Sequence, residues 1–228
     1  MIEVKDKKDC SGCGACVFSC NRRAVYMEPD EHGFLYPNVD YSHCIYCGYC
    51  LYICPVTGWN MKRPPLISEP YNLGSGAAYT LLTRAVLERG GNVFGPTRDS
   101  NKVVKHKFMR DMDLLPIIER HNDTQSDMGD TYLDVRLLLI HQEEVLFVGD
   151  ACQLSGLRNF LKKDYKTLVM ANIECHGVYN AEGDTLRPSC QNCHFPEDDL
   201  VADLTIRPDS PVALIRTERG RQFLEGLK

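Results

Sequence analysis

The hydrophobic pattern of the second half of the chain predicts buried strands that alternate with helices. Apolar runs of strand length lie at 145–149 and 167–174, and a helical pattern at 153–163 separates them. Strand, helix and strand within about 30 residues form a βαβ unit, whose two strands are parallel. Further strands are predicted at 92–94, 103–109, 203–206 and 212–215, and further helices at 77–89, 113–120, 131–142 and 218–227. The pattern therefore predicts an α/β domain with a partly parallel sheet.

The N-terminal quarter of the chain has shorter apolar segments. Ile2–Val4 can form an edge strand, and Ala24–Met27 with Phe34–Tyr36 predict a hairpin that turns at Gly33. Beyond this region, the segment 61–70 contains three prolines and is typical of a linker. We therefore expect a domain boundary near Arg63.

Length and charge limit the classes of function. The 228 residues are enough for one small domain and one of ordinary size, and 43% hydrophobic residues can form a buried core. The formal net charge of −5 argues against a nucleic-acid-binding surface. No apolar run of about 18 residues is present, so we expect no membrane span. The charged segment 1–9 lacks the apolar core of a signal peptide, so we expect a cytoplasmic protein.

Cysteine carries the candidate chemistry. The chain contains 12 cysteines, and in a reducing cytoplasm this number indicates metal or redox chemistry rather than disulfides. Eight of them form two runs with the same spacing of two, two and three intervening residues: Cys10, Cys13, Cys16 and Cys20, then Cys44, Cys47, Cys50 and Cys54. This is the spacing of bacterial two-cluster ferredoxins, in which the last cysteine of each run binds the other cluster.

The spacing assigns two [4Fe–4S] ligand sets. One set is Cys10, Cys13, Cys16 and Cys54, and the other is Cys44, Cys47, Cys50 and Cys20. Small residues at Gly12, Gly14 and Gly48 let the backbone wrap closely, and the last cysteine of each run is expected to begin a short helix. A pair of zinc sites or a disulfide framework is the alternative, which the doubled spacing disfavours. We therefore predict an α+β, ferredoxin-like two-cluster domain at 1–63, followed by a linker at 64–75 and the α/β domain at 76–228.

The remaining four cysteines lie in the α/β domain. Cys152 and Cys175 each follow a predicted buried strand, so parallel strands would bring both thiols to the carboxyl edge of the sheet. Cys190 and Cys193 form a CxxC on a loop that could fold over that edge. A third four-thiolate site is one interpretation. The other is a zinc site with a histidine such as His176 or His194, and spacing leaves the two open.

A small-residue loop at Asn72–Thr80 precedes the helix predicted at 77–89. Because the N-terminus of a helix attracts anions, this loop is a candidate anion site, and a flexible hinge is an equal alternative. No arrangement of serine, histidine and carboxylates indicates hydrolysis, so we assign no catalytic acid or base.

Several segments carry a family resemblance. They are Phe34–Pro37, the loop 74–80, and the stretches 90–95, 125–132, 145–157, 175–177 and 187–193. In sequence and order they resemble the β-subunit family of coenzyme F420 hydrogenases and dehydrogenases, in the branch with an N-terminal two-cluster ferredoxin. The chain resembles a shortened member, since fewer residues separate Gly177 from Arg187 than in relatives.

The resemblance implies a set of cofactors for the α/β domain. It implies that Cys152, Cys175, Cys190 and Cys193 hold a third [4Fe–4S] cluster. It also implies bound FAD, with contacts from the loop that begins in the segment 64–75 and from a second loop. The implied flavin contacts are Ser75, Gly76, Gln125 and Ser126.

The function implied by the resemblance is that of an iron–sulfur flavoprotein oxidoreductase subunit. Electrons would pass between the clusters, the flavin and a hydride carrier such as coenzyme F420 or a related two-electron substrate, with a redox partner protein or subunit. One alternative is a flavin-free polyferredoxin electron carrier with an α/β docking domain. A second alternative is a zinc-stabilised interaction domain tethered to a ferredoxin.

Overall fold

The computed structural model describes residues 1–58, 67–118, 123–195 and 202–227, so the boundary expected near Arg63 lies outside the described residues. The strands are β1 (Val25–Pro29), β2 (Leu35–Val39), β3 (Glu69–Asn72), β4 (Asn92–Arg98), β5 (Val104–Met109), β6 (Val145–Gly149), β7 (Leu168–Ile173), β8 (Leu204–Ile206) and β9 (Val212–Ile215). The α-helices are α1 (Ala15–Phe18), α2 (Tyr49–Tyr52), α3 (Ala78–Glu88), α4 (Thr131–Ile140), α5 (Ala151–Leu161) and α6 (Glu218–Glu225). Short 3-10 helices lie at Lys7–Asp9, Met112–Ile117 and Pro188–Cys190.

The larger part of the chain forms a mixed α/β domain. Its seven-stranded sheet has the order β3-β9-β8-β7-β6-β4-β5. The central strands β8, β7, β6 and β4 are parallel to one another, whereas β9 is antiparallel to β8 and β5 is antiparallel to β4. The predicted βαβ unit is confirmed, since β6 and β7 pair in parallel from Val145↔Leu168 to Gly149↔Asn172.

Helices cover both faces of the sheet, which explains why the central strands are apolar without alternation. Along β6, Val145 and Phe147 point into the core beneath α4 and α5, while Leu146 and Val148 point into the core on the α3 and α6 face. All five residues of β6 and all six of β7 are buried. Their carboxyl ends therefore present loops at one edge of a rigid layer.

The N-terminal segment contains a hairpin in which β1 and β2 are antiparallel, as predicted, although Ile2–Val4 is not a strand. The expectation that the last cysteine of each run begins a helix is wrong. Gly14 and Gly48, with φ of 75° and 74°, are instead the N-caps of α1 and α2. Because glycine tolerates positive φ, the chain can turn at these two positions, and each helix begins one residue before the third cysteine of its run. The last cysteine of the run follows the helix.

The second half of the predicted linker is ordered. Glu69–Asn72 forms β3, which pairs with β9 in an antiparallel register from Glu69↔Ile215 to Asn72↔Val212. The prolines indicate a linker, but a short strand with Pro70 is tolerated because β3 lies at the edge of the sheet. The chain thus enters the α/β domain at the edge strand.

The N-terminal segment packs against α4 and α5. Cys13, Ala15 and Ile53 belong to the same buried cluster as the α4 and α5 core. Phe18 contacts Tyr132 edge-on at 5.0 Å between ring centroids. This face of the α/β domain is therefore covered by the cysteine-rich segment. Among the described helices, none is long and apolar enough to cross a membrane.

Candidate metal centres

The first group of cysteines lines a cavity of about 200 Å³ within the N-terminal segment. It consists of Cys10, Cys13, Cys16 and Cys54, the set that the spacing assigns to one cluster. Backbone N–H groups of Gly12 and Ala15 donate to the Cys10 and Cys13 sulfurs. Such N–H donors are characteristic of protein iron–sulfur sites, where they stabilise the anionic sulfur.

The second group of cysteines lines a cavity of about 270 Å³. It consists of Cys20, Cys44, Cys47 and Cys50, again the set assigned by the spacing. The N–H of Ile2 donates to the Cys50 sulfur at 2.9 Å, and that of Ala24 donates to the Cys20 sulfur at 3.3 Å. Cys47 is exposed, and its neighbours Ile45 and Tyr46 are 62% and 63% exposed. This second group therefore lies at the surface.

The third group of cysteines lines a cavity of about 260 Å³ in the α/β domain. It consists of Cys152, Cys175, Cys190 and Cys193. Cys152 lies in the first turn of α5, directly after β6, and Cys175 follows β7. Because β6 and β7 are parallel, both cysteines lie at the same sheet edge. The CxxC loop that begins at Pro188–Cys190 contributes the other two side chains.

Each sulfur of the third group has a hydrogen-bond donor or a charged neighbour. The N–H groups of Gly177 and Val178 donate to Cys175 and Cys190. The N–H of Phe195 lies 3.4 Å from the Cys193 sulfur. The Cys152 sulfur accepts from the Gln125 side-chain amide at 3.4 Å. The surroundings of these sulfurs therefore resemble those of the first two groups.

Burial disfavours the ionised form of several of these thiols. It raises the pKa of Cys13 to about 12, and raises the pKa of Cys16 and of Cys152 well above the usual value. A buried thiolate needs a positive partner, and metal ions deprotonate the thiols that bind them. The three cavities thus offer donor sets whose chemistry fits iron–sulfur clusters, each with four thiols.

Histidines also border the third cavity, which bears on the zinc alternative. His176 and His194 line it, and His194 Nε2 donates to the Lys8 carbonyl at 3.1 Å. Within the described ranges, no three His, Cys, Asp or Glu side chains converge closely enough to hold one metal ion. The four thiols surround a shared cavity instead, and a cluster of several irons separates its ligands more widely than one ion does.

The first and third groups are neighbours across the interface between the two parts of the molecule. Gln125 Nε2 donates to the Ser11 carbonyl at 2.9 Å and also approaches the Cys152 sulfur. On α5, a Cβ added to Gly156 would lie 3.0 Å from the Cys13 sulfur, so Cys13 faces this helix. The described residues that line the second cavity, in contrast, all lie between 1 and 50. The three groups therefore have the order third, first, second.

The residues implied as flavin contacts do not form one site. Gln125 and Ser126 line a cavity of about 570 Å³ between the N-terminal segment and the α/β domain. Ser75 and Gly76 are exposed on the loop between β3 and α3, and line neither of the cavities that contain Gln125. The reason is topological, because β3 is the edge strand and the strands β9, β8 and β7 lie between it and β6.

The contacts of Ser126 and Arg187 follow from no cysteine-type spacing in the sequence. The Ser126 hydroxyl shares a hydrogen bond with His106 Nδ1 at 3.0 Å and accepts another from Gln153 Nε2 at 3.0 Å. Both bonds are buried in the core. Arg187 is buried beside Cys10. Only the position of Arg187 before the CxxC hints at a role, and its contacts depend on packing between distant segments.

Comparison with known proteins identifies the N-terminal segment. Residues 9–57 match the family model of the 4Fe-4S dicluster domain. Over 54 residues the chain is 33% identical to ketoisovalerate oxidoreductase subunit VorC of Methanothermobacter marburgensis, which corresponds to 23% of this chain and 68% of that protein. The match includes the first and second groups of cysteines. Through this segment, the chain belongs to the family of proteins with a 4Fe-4S dicluster domain.

Proposed function

We propose that the protein is an electron-transfer subunit that holds three [4Fe–4S] clusters. The first cluster is bound by Cys10, Cys13, Cys16 and Cys54, and the second by Cys20, Cys44, Cys47 and Cys50. The third is bound by Cys152, Cys175, Cys190 and Cys193. One observation carries this proposal: each of three separate cavities is lined by four cysteines. The dicluster match supports the first two clusters, and the geometry of the sheet edge supports the third.

The order of the centres gives the path of electrons. The first centre lies between the other two, because Cys13 faces α5 and Gln125 joins the Ser11 loop to Cys152. The second centre is at the surface, where Ile45, Tyr46 and Cys47 are exposed. We therefore place the contact with a redox partner protein at the second centre. The name of VorC describes that relative as an oxidoreductase subunit, which supports a partner for this chain as well.

The residues of the chain position the clusters and adjust their electrostatics. Bound clusters would supply one-electron transfer. The N–H groups of Gly12, Ile2 and Gly177 hold the ligand sulfurs in place and favour their anionic form. Burial of Cys13 and Cys16 excludes water from these ligand sulfurs, which limits the loss of iron. The 12 free thiols fit a reducing compartment, so we retain the cytoplasm as the proposed location.

A flavin is a second candidate cofactor, and the 570 Å³ cavity is the observation that favours it. Gln125 and Ser126 line this cavity together with Arg98 and Lys102, and these cations suit an anionic ligand. In that case FAD would exchange electrons with the third cluster and a hydride with a carrier such as coenzyme F420. The separate position of Ser75 and Gly76 favours the flavin-free alternative, an electron carrier with an α/β docking domain.

Analysis of the anaerobically purified protein tests the proposal. Iron, sulfide, zinc and flavin are quantified on one sample of wild type and of the variant Cys193→Ser. We expect about twelve irons and about twelve sulfides per chain in the wild type, and about four fewer of each in the variant. One zinc with about eight irons would support the zinc-stabilised alternative, and bound flavin would support the second candidate.

A further inference from the structure

Arg187 is a buried cation between two of the cysteine groups. Its side chain is 1% exposed and is among the largest fully buried side chains of the protein. Arginine stays charged in proteins, and a buried charge is unfavourable unless another charge or a set of dipoles compensates it. Among the residues that the structure describes, no carboxylate is an ion-pair partner of Arg187, and its hydrogen-bond acceptors are backbone carbonyls.

The guanidinium is fixed against the loop of the first group. Arg187 Nε and Nη2 donate to the Cys10 carbonyl at 3.2 and 3.1 Å, and Nη2 also donates to the Leu35 carbonyl at 2.9 Å. The Tyr36 ring lies 4.5 Å from the guanidinium carbon. A Cβ added to Gly12 would lie 2.8 Å from Nη2, so this glycine permits the close approach.

The backbone of Arg187 belongs to the third group. Its carbonyl accepts from the N–H of Cys190 at 2.9 Å, at the start of the CxxC loop. The positive charge therefore lies next to a ligand of the first group, and the backbone that carries it is one turn from a ligand of the third. Burial raises the pKa of both Cys10 and Cys190, and the charge of Arg187 opposes that rise at both thiols.

We propose that Arg187 is the internal counter-charge of the first and third clusters and raises the reduction potential of both. This inference rests on the proposed function, because it requires clusters at the first and third groups. A cubane with four thiolate ligands is an anion, and it becomes more negative when it accepts an electron. A fixed cation nearby stabilises the reduced form more than the oxidised form. The negative charge of the clusters would in turn offset the unfavourable free energy of burying the Arg187 guanidinium.

Redox titration of Arg187 variants tests the inference. The potentials of all clusters are measured by anaerobic titration with EPR detection in wild type, Arg187→Gln and Arg187→Lys. For Arg187→Gln we expect the first and third clusters to accept an electron at least tenfold less favourably, which corresponds to about 59 mV for a one-electron couple. The second cluster serves as the internal reference, because the part of the chain that the structure describes lines its cavity with residues between 1 and 50 and without Arg187. Arg187→Lys keeps the charge and should largely restore both potentials.

A matched control uses another buried arginine. Arg158 on α5 is 8% exposed but is ion-paired with Asp164, so Arg158→Gln should leave the potentials of the first and third clusters unchanged. Unchanged potentials in Arg187→Gln would overturn the inference. If that variant does not accumulate, Arg187→Lys decides: potentials of the first and third clusters close to those of wild type are the result expected of a retained charge, and potentials lowered by about 59 mV or more contradict the inference. The iron content of the wild type tests the proposed function independently of these variants.

Discussion

At the residue scale, the three centres differ in the groups that donate hydrogen bonds to the cysteine sulfurs. Most of the sulfur contacts come from backbone N–H groups, which every residue except proline provides, so no sequence pattern marks them. Gln125 is different, because its side-chain amide joins the Ser11 carbonyl to the Cys152 sulfur. The cysteines themselves were predictable from their spacing. Gln125 was expected to contact a flavin. Its contact with Ser11 could not be predicted, because it joins segments 114 residues apart, and its contact with Cys152 depends on how the loop before α4 packs against the start of α5.

Loss of the Gln125 amide should shift the third cluster alone. In Gln125→Leu the Cys152 sulfur loses a donor that stabilises the more negative reduced form, so we expect a lower reduction potential for the third cluster. EPR-monitored titration measures this shift. Gln222→Leu, at an exposed position of α6, is the control and should leave all potentials unchanged. A third-cluster potential equal to that of wild type in Gln125→Leu would refute the role of this bond.

His106 should make stability depend on pH. Burial lowers its pKa to about 3 from the ordinary 6.5, and the ring packs against Phe147 at 4.7 Å between centroids. The folded protein therefore keeps the imidazole neutral, while the unfolded chain binds a proton below pH 6.5. The resulting stability is fully present above pH 6.5 and is lost as the pH falls toward 3, by about 1.4 kcal/mol per pH unit.

Urea denaturation of wild type and His106→Phe at pH 7.5 and 5.0 isolates this effect. Between these two values we expect the wild type to lose about 2 kcal/mol more unfolding free energy than the variant. Both proteins carry the same clusters, so acid effects on iron are common to them. Equal losses in the two proteins would show that His106 is not a neutral buried group in the folded state.

At the scale of elements, periodicity identifies the sheet but not what covers it. The strands β6 and β7 and the helix between them follow from apolar runs, and β6 was predicted to the residue. The docking of α1 on α4 and α5 could not be read from the sequence, because Phe18 has no periodic pattern of its own. Its packing against Tyr132 and Phe160 depends on segments more than a hundred residues away. For the same reason, the sequence could not show that Ser75 and Gly76 lie at the far edge of the sheet.

Removal of the Phe18 ring should weaken this docking. In Phe18→Ala the edge-on contact with Tyr132 at 5.0 Å is lost, and a partly buried aromatic truncation costs about 2–3 kcal/mol. Urea denaturation of the anaerobic protein measures the loss, and limited proteolysis should release the N-terminal segment sooner. The control is Tyr41→Ala, since Tyr41 is 54% exposed and its loss should change stability little. A Phe18→Ala variant as stable as this control would contradict the proposed interface.

At the scale of the whole molecule, the arrangement of the centres predicts the order in which iron is lost. Cys47 of the second group and Cys193 of the third are exposed, whereas Cys13 and Cys16 of the first group are buried. An iron chelator should therefore remove iron in at least two phases, with the first cluster last. Cys47→Ser, which removes the exposed ligand of the second group, should reduce the fast phase by about four irons. A fast phase of unchanged size in Cys47→Ser would show that the second centre is not among those that lose iron first.

The central claim is that three centres, including one in the α/β domain, bind [4Fe–4S] clusters. The most direct measurement is Mössbauer spectroscopy with iron and sulfide quantification on the anaerobic full-length protein and on Cys193→Ser. We predict about twelve irons per wild-type chain, all in [4Fe–4S] clusters, and about eight in the variant. About eight irons in both proteins would contradict the account, because it would confine the clusters to the N-terminal segment and leave the third group without one.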